Sequence, residues 1–132
     1  FAEMGKYMLT SRCVAEDASV VAISSIISLA VTNRQAAYAA SKSMLNTYVK
    51  YLAKEAVGKM RVNAVLPGVV ETEMYQKLRL QSDNLDERTR KNQPLGIIPP
   101  LKVSKLVEFL LSEDSNFITG SLMVMDGGYL LK

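Results

Sequence analysis

The order of apolar segments in the first half of the chain restricts the fold more than any other feature. A β-branched run, Ser19 to Ser24, precedes a helix-forming segment from Ala36 to about Val57, and a second β-branched run follows from Met60 to Pro67. This is the order of a parallel crossover unit, and such strands are typical of sheets covered on both faces. The apolar residues of the helix, Met44 and Leu52 among them, recur along one side of it, and Gly58 provides a stop. We therefore predict an α/β protein with helices on both faces of the sheet.

The second half of the chain continues the alternation. Lys102 to Ser112 has the spacing of an amphipathic helix, and Ser121 to Leu131 predicts a third strand followed by a Gly-Gly turn. Glu71 to Leu80 is compatible with a helix, whereas the polar run Gln81 to Gln93 is expected to be mobile. At the start, Phe1 to Cys13 has the spacing expected for the end of a helix.

A glycine-rich turn is missing from this pattern. Sheets that bind dinucleotides usually open with GxGxxG between a strand and a helix. Of the 7 glycines, only Gly127 and Gly128 are adjacent, and they are near the other end of the chain. If the three predicted strands were the whole sheet, the first would have an unpaired edge. We therefore expect the chain to be the second half of a larger α/β domain.

Composition excludes several kinds of site. The sequence has no histidine, which rules out Ser-His-Asp and Cys-His catalysis and histidine metal sites. The single cysteine, Cys13, cannot form a disulfide within the chain, which favours a reducing, cytoplasmic setting. The net charge of +3 comes from interleaved basic and acidic residues, so no nucleic-acid partner is expected. The longest apolar run, SVVAISSIISLAV, is shorter than the about 20 residues of a membrane span, so no membrane partner is expected.

Tyr38 and Lys42 lie four residues apart on the first predicted helix, and so on one face of it. An ammonium group near a phenolic oxygen favours the phenolate, which suits a tyrosine that exchanges protons near neutral pH. Chance also produces such pairs, and on the pair alone a surface interaction is the simpler interpretation. The residues around Tyr38 are small, which would let a flat ligand approach; they are Ala36, Ala37, Ala39, Ala40 and Ser41.

Ser24 and Ser25 follow the first predicted strand. They would therefore lie at the carboxyl edge of the sheet, where open α/β sheets bind ligands. A hydroxyl there can donate a hydrogen bond to a substrate carbonyl as charge develops on its oxygen. Taken alone, the serine pair is explained equally well as a cap or a turn.

Together these residues resemble the Ser, Tyr-x-x-x-Lys active site of the short-chain dehydrogenase/reductase family. The resemblance covers nearly the whole chain, through VVAISS, QAAYAASK, LAKE, RVNAVLPGVVETEM and FITGSLMVMDGG in that order. It implies the C-terminal half of a Rossmann-like doubly wound parallel sheet, with three strands and flanking helices here. Residues 1–132 would be the C-terminal part of one domain, without its N-terminal part that binds the dinucleotide phosphates.

The resemblance implies a role for each matching residue. Tyr38 would be the general acid in carbonyl reduction and the base in the reverse direction. Lys42 would assist Tyr38 and bind the nicotinamide ribose, and Ser25 would hold the substrate carbonyl. Ser24 fits the family less well because its spacing to Tyr38 is one residue too long.

The second strand and the segment after it would supply further cofactor contacts. Pro67 and Gly68 begin the family's turn, the backbone of Val70 would meet the nicotinamide carboxamide, and the hydroxyl of Thr72 would lie beside it. Tyr38 and Lys42 complete this cofactor-binding set. Asn63 is similar to a structural asparagine of the family and is left out. No metal site is expected.

The activity implied is an NAD(P)(H)-dependent interconversion of a carbonyl and a secondary alcohol. The pattern is most similar to 3-oxoacyl-carrier-protein reductases, so a 3-oxoacyl thioester is the preferred substrate. Sugar, polyol and steroid alcohols stay open, and NADP is favoured over NAD by analogy alone. The family's glycine-rich turn, Asn-Asn-Ala-Gly stretch and catalytic asparagine would precede Phe1. The isolated 132-residue chain is therefore expected to bind dinucleotide poorly and to be inactive.

Other functions remain possible from the sequence. The chain could be a non-catalytic binding or oligomerisation module, and extended-type epimerases and dehydratases share the Tyr-Lys pair. The resemblance also implies a homo-oligomer, a dimer or a homotetramer, that packs through the helix carrying Tyr48, Val49, Tyr51 and Leu52. Glu71 to Pro100 would form a substrate lid, in which Met74, Tyr75 and Leu78 line an apolar pocket. The turn Asp126 to Gly128 would lie near a subunit contact rather than at the chemistry.

Overall fold

A three-stranded parallel sheet forms the centre of the chain. The computed structural model describes residues 3, 7, 15, 17–30 and 32–131. The strands are β1 (Ala18–Ile23), β2 (Met60–Pro67) and β3 (Leu122–Met125). Their order is β1-β2-β3, and both pairings are parallel. The predicted α/β class is confirmed, and the second strand has the bounds that its β-branched run indicated.

From residue 17 onward, the described part of the chain has four helices that connect and cover the strands. They are α1 (Ala36–Glu55), α2 (Glu73–Arg79), α3 (Leu85–Asn92) and α4 (Pro100–Leu111), with 3-10 turns at Ile26–Ser28 and Glu113–Ser115. Gly58 follows α1 with φ +83°, a left-handed conformation that glycine adopts easily and that ends the helical segment as predicted. No helix among the described residues is long and apolar enough to cross a membrane.

The helices α1 and α4 cover opposite faces of the sheet. Val49 and Leu52 of α1 belong to the same buried cluster as Val62 on β2. On the other face, Ser19 Oγ donates to the carbonyl oxygen of Leu110 at 2.8 Å, and the Arg61 guanidinium donates to the same oxygen at 2.8 Å. Side chains alternate between the two faces along a strand, which accounts for this division. Helices on both faces, as predicted, are therefore present.

Burial differs between the first two strands. β2 is buried along almost its whole length, as its composition indicated, whereas β1 is half-buried at most positions. Only one edge of β1 pairs with another described strand, and Ile23 at its end is exposed. The prediction of burial on both faces is thus right for β2 and wrong for β1.

Three further predictions need correction or fall outside the described residues. The polar run expected to be mobile contains helix α3, whose first turn carries Asp86 and Glu87 and whose last turn is basic, charges that complement the helix dipole. Met44, predicted on the apolar side of α1, is 72% exposed, because the core packs against the side that carries Val49 and Ala53. The predicted helix from Phe1 to Cys13 lies outside the described residues except at positions 3 and 7, which are helical.

Candidate active site

The turns that follow the strands meet at one edge of the sheet. Ser24 N–H, just beyond β1, donates to the carbonyl oxygen of Val65 at 2.8 Å. Gly68 N–H, just beyond β2, donates to the carbonyl oxygen of Met125 at 2.8 Å. All three strands therefore end side by side. The carboxyl edge of a parallel sheet is where ligands of open α/β folds bind.

Tyr38 and Lys42 lie in the first two turns of α1, beside this edge. Lys42 Nζ is 5.7 Å from the centroid of the Tyr38 ring, within cation–π range. The same ammonium donates to the carbonyl oxygen of Ile23, the last residue of β1, at 3.0 Å. Tyr38 is 46% exposed, so a ligand can reach it. The structure therefore brings the predicted pair together and fastens it to the end of β1.

Ser25 is buried at the start of the 3-10 turn that follows β1. Its Oγ accepts a hydrogen bond from Ile27 N–H at 3.3 Å, so it caps the turn. A serine hydroxyl accepts and donates at once, and the Ser25 O–H hydrogen can still be directed toward a ligand. Ser24 Oγ instead donates to the carbonyl oxygen of Lys42 at 3.4 Å. The hydroxyl hydrogen of Ser24 is thus directed at the helix backbone, whereas that of Ser25 is available to a ligand.

The turn that carries Ser25 is tied to α1 by side chains that the sequence interpretation passed over. Ser43 Oγ donates to the carbonyl oxygen of Ser28 at 3.0 Å, and Asn46 Nδ2 donates to Ser28 Oγ at 2.7 Å. Ser28 Oγ in turn donates to the carbonyl oxygen of Ser25. Ser25 and Tyr38 are thus held in a fixed relation. In the sequence, the only indication of this contact was Asn46, because it is an amide among the apolar residues of the helix.

Asn46 is also unusual in its own right. It is buried, and its Oδ1 has no hydrogen-bond partner among the described residues. A buried amide oxygen without a partner is energetically unfavourable. The amide that makes the bond from Nδ2 to Ser28 therefore also lowers the stability of the core through its unpartnered Oδ1.

The segment after β2 contains the other predicted cofactor residues, Pro67, Gly68, Val70 and Thr72. Val70 forms a parallel bridge with Ile98, in which Ile98 N–H donates to the carbonyl oxygen of Val69 at 3.0 Å and Glu71 N–H donates to that of Ile98 at 2.9 Å. Thr72 caps α2, since its Oγ1 accepts from Tyr75 N–H at 3.3 Å. This segment is extended and lies beside the end of the sheet.

Residues on either side of this segment have structural roles. Asn63 is fully buried and joins β2 to the chain before β3, since Nδ2 donates to the carbonyl oxygen of Ile118 at 2.8 Å and Oδ1 accepts from Ser121 N–H at 3.0 Å. It is structural, as predicted. Asp126 accepts from the N–H groups of Gly128 and Leu130 and so forms the predicted tight turn. That turn packs directly against Gly68, which is closer to the candidate site than we expected.

The lid helices α2 and α3 are joined by a polar cluster. The Tyr75 hydroxyl hydrogen-bonds Asp86 Oδ1 at 2.9 Å and Thr89 Oγ1 at 3.1 Å. Arg79 forms ion pairs with Asp86 at 2.9 Å and Glu71 at 2.8 Å. Burial raises the pKa of Tyr75, and the hydrogen bond from Tyr75, assisted by Arg79, lowers the pKa of Asp86. Within the described residues, no cluster of potential metal ligands is present.

The residues predicted to line a lid pocket are divided by the structure. Tyr75 is buried between the lid helices, whereas Met74 is 71% and Leu78 49% exposed. The prediction that the three share one lining is therefore wrong. The helix face predicted for subunit packing is divided too, because Val49 and Leu52 lie in the core and Tyr51 is exposed.

The chain is similar to known proteins over nearly its whole length. A family model described as enoyl-(acyl carrier protein) reductase matches residues 1–130. A 3-oxoacyl-(acyl-carrier-protein) reductase of Rattus norvegicus is 40% identical over 131 residues, which are 94% of this chain and 52% of that protein. The chain thus spans about half the length of this curated relative.

Two solved structures with nicotinamide cofactors share the fold. A 4-hydroxyisoleucine dehydrogenase complexed with NADH has a TM-score of 0.86 and 32% identity, covering 99% of this chain and 53% of that chain. ElxO with NADP bound has a TM-score of 0.82 and 31% identity, covering 99% and 52%. Since the family model matches almost the entire chain and the fold agrees, the chain belongs to the short-chain dehydrogenase/reductase family.

Proposed function

We propose that the chain supplies the proton-transfer and carbonyl-binding residues of an oxidoreductase that interconverts a carbonyl and a secondary alcohol with NAD(P)(H). One observation carries the proposal. The Lys42 ammonium lies 5.7 Å from the Tyr38 ring while it donates to the backbone at the end of β1, two residues before Ser25. An acid, a cation beside it and a hydroxyl donor thus occur together at the ligand-binding edge of the sheet.

In the direction of reduction, Tyr38 donates its phenolic proton to the carbonyl oxygen of the substrate. The Ser25 hydroxyl donates a hydrogen bond to the same oxygen as negative charge develops on it. The Lys42 ammonium lies beside the phenolate that Tyr38 becomes, 5.7 Å from the ring centroid. In the reverse direction Tyr38 accepts the proton of the alcohol. Ser25 stays in place throughout, because the turn that carries it is bonded to α1.

The segment from Pro67 to Thr72 fits a nicotinamide group. The bridge to Ile98 uses the carbonyl of Val69 and the N–H of Glu71, so in an extended backbone the N–H and C=O of Val70 point to the other side. A primary carboxamide has the complementary acceptor and donors. Thr72, Tyr38 and Lys42 provide further polar contacts. When bound, NAD(P)H supplies the hydride that adds to the carbonyl carbon.

For the substrate we propose a 3-oxoacyl thioester, in line with the name of the rat relative. The exposed apolar residues of α2, Met74 and Leu78, are available to an acyl chain. A hydroxylated small molecule such as an alcohol or polyol is the second candidate, because the 4-hydroxyisoleucine dehydrogenase has a similar fold. NADP is preferred to NAD by analogy alone.

The organisation of the whole protein is part of the proposal. Residues 1–132 would form the C-terminal part of a single family domain, with the dinucleotide phosphates bound by residues outside it. On their own they would bind dinucleotide poorly and be inactive. The native protein would be cytoplasmic and a homo-oligomer, a dimer or tetramer, whose subunits pack through the exposed side of α1 near Met44 and Tyr51.

Replacement of Tyr38 by Phe in the native protein tests the function. We expect kcat/KM for NADPH- or NADH-dependent reduction of a 3-oxoacyl thioester to fall about 10²- to 10⁴-fold, the usual contribution of a general acid. Tyr51→Phe, which removes the same hydroxyl from an exposed tyrosine farther along α1, is the matched control and should behave as wild type. Normal turnover by Tyr38→Phe would refute the mechanism. A wild-type protein that binds neither cofactor would instead support the non-catalytic alternative.

A further inference from the structure

Gln93, the residue after α3, has a fully buried polar side chain that is not among the residues predicted to form the site. Its Oε1 accepts from Val69 N–H at 2.8 Å, and its Nε2 donates to the carbonyl oxygens of Val69 at 3.1 Å and Gly96 at 2.6 Å. Both ends of the amide are therefore hydrogen-bonded. A buried glutamine whose polar groups are all directed at backbone fixes the position of that backbone.

Two glycines make room for this side chain. A Cβ atom added at Gly68 would lie 2.3 Å from Gln93 Oε1, and one added at Gly127 would lie 2.6 Å from Gln93 Cγ. Both distances are far below van der Waals contact. The segment after β2, the turn after β3 and the end of the lid thus meet around one side chain, and each glycine is required by the place that Gln93 occupies.

The bonds from Gln93 act on the peptide groups on both sides of Val69. The carbonyl oxygen of Val69 accepts from Gln93 Nε2 and also from Ile98 N–H, at 3.0 Å. That carbonyl belongs to the peptide group whose N–H is that of Val70. The direction in which the Val70 N–H points is therefore determined by Gln93 and Ile98 together.

We propose that Gln93 is a positioning residue for the nicotinamide ring, which acts by holding the peptide group between Val69 and Val70, and with it the Val70 N–H, in the orientation that the carboxamide requires. This inference rests on the proposed function. Gln93 N–H also donates to the carbonyl oxygen of Thr89 at 2.7 Å, so the residue that orients Val70 is itself the end of lid helix α3. The proposed nicotinamide contact and the position of the lid are thereby coupled through a single residue, Gln93.

The test compares two ligands of the native protein, NADPH or NADH and ADP-ribose, which lacks the nicotinamide. Gln93→Met keeps the length of the side chain but removes all three side-chain hydrogen bonds. We expect the Kd for the nicotinamide cofactor to rise about tenfold or more, while the Kd for ADP-ribose stays within about twofold. In Gln93→Met, the fraction of hydride transferred from the wrong face of the nicotinamide ring, measured with a deuterium-labelled cofactor, should also increase. Gln81→Met, on an exposed glutamine, is the matched control.

Two results would overturn the proposal. One is an equal loss of affinity for both ligands, which would indicate a general structural role, and the other is wild-type affinity for both. If Gln93→Met does not fold, amide hydrogen exchange in the wild type decides the matter. The Val70 N–H must gain protection from the nicotinamide cofactor and not from ADP-ribose, and equal protection by both contradicts the inference. If the wild type binds neither ligand, the proposed function has failed instead.

Discussion

The turn after β1 and the segment after β2 lie at the same edge of the sheet but are held in different ways. The first, residues 24–28, is bonded to α1 through the carbonyl oxygen of Lys42 and the side chains of Ser43 and Asn46, all within about two turns of Tyr38. The second, residues 67–72, is held by Gln93 and Ile98, which follow helices α2 and α3 in the chain. The proposed proton-transfer residues thus depend on a neighbouring helix, whereas the proposed cofactor contact depends on the last part of the proposed lid.

This difference separates two functions that must meet in one site. Movement of the lid would leave Ser25, Tyr38 and Lys42 in place, because no bond described for their turn comes from residues 73–93. The same movement would disturb the peptide group between Val69 and Val70, because Gln93 is bonded to it. Substitutions in the two regions should therefore have distinguishable effects, the first on turnover and the second on cofactor affinity.

Among substitutions outside the proposed catalytic residues, the largest effect is expected from Gly68→Ala, which acts on the second region. The new Cβ would overlap Gln93 Oε1 and approach Asp126 Cα to 3.0 Å. Overpacking of this kind lowers the free energy of unfolding by about 1–3 kcal/mol, measured by urea denaturation. In a Gln93→Ala background the same Gly68→Ala change should cost less than it does in the wild type, because the overlapping oxygen is gone. A Gly68→Ala protein that unfolds at the wild-type urea concentration would contradict the packing described for Gln93.

A smaller effect, on activity rather than stability, is expected from Asn46→Leu in the first region. The change removes the bond to Ser28 and so loosens the turn that carries Ser25, but it also removes the buried, unpartnered Oδ1. We expect kcat/KM to fall about tenfold while the free energy of unfolding stays within about 1 kcal/mol of wild type. Thr47→Val, at the exposed neighbouring position, is the control. Unchanged kcat/KM in Asn46→Leu would show that this bond does not position Ser25.

The smallest effect is expected at Asp86, in the lid itself. Because the folded protein lowers the pKa of Asp86, its carboxylate contributes stability above the ordinary carboxyl pKa of 3.8, and this contribution is lost as the pH falls through the lower folded value. Asp86→Asn should therefore increase amide exchange in α3 at neutral pH and make little difference in acid. High salt should weaken the effect, since these charges are exposed. Equal differences between variant and wild type at both pH values would contradict this account.

Much of the fold followed from periodicity. β2 and α1 were predicted nearly to the residue because an uninterrupted β-branched run and a long helix-forming segment are local signals. The relation between Tyr38 and Lys42 followed from the helical repeat alone. Helix α3 was missed because its residues are polar, although the acidic start and basic end were a usable signal.

The parts of the site that the sequence did not reveal depend on contacts between distant residues. Gln93 is separated from Val69 by the whole lid, and Asn46 meets Ser28 only once α1 packs across the end of β1. A glutamine in a polar run and an asparagine in a helix are ordinary as sequence. Only the folded chain shows that they are buried and which residues they contact, and these contacts are what connect them to the site.

The bridge between Val70 and Ile98 also bears on how such a protein changes over generations. It closes the chain between these residues into a loop, and the entropy of loop closure rises only slowly with loop length. The length of the segment between Glu73 and Asn92 can therefore change at little thermodynamic expense, provided that Gln93 keeps its bonds to Val69. In that way the proposed lid can vary while the backbone at Val70 keeps its direction, and a lid exchanged between relatives is best joined between Thr72 and Gln93.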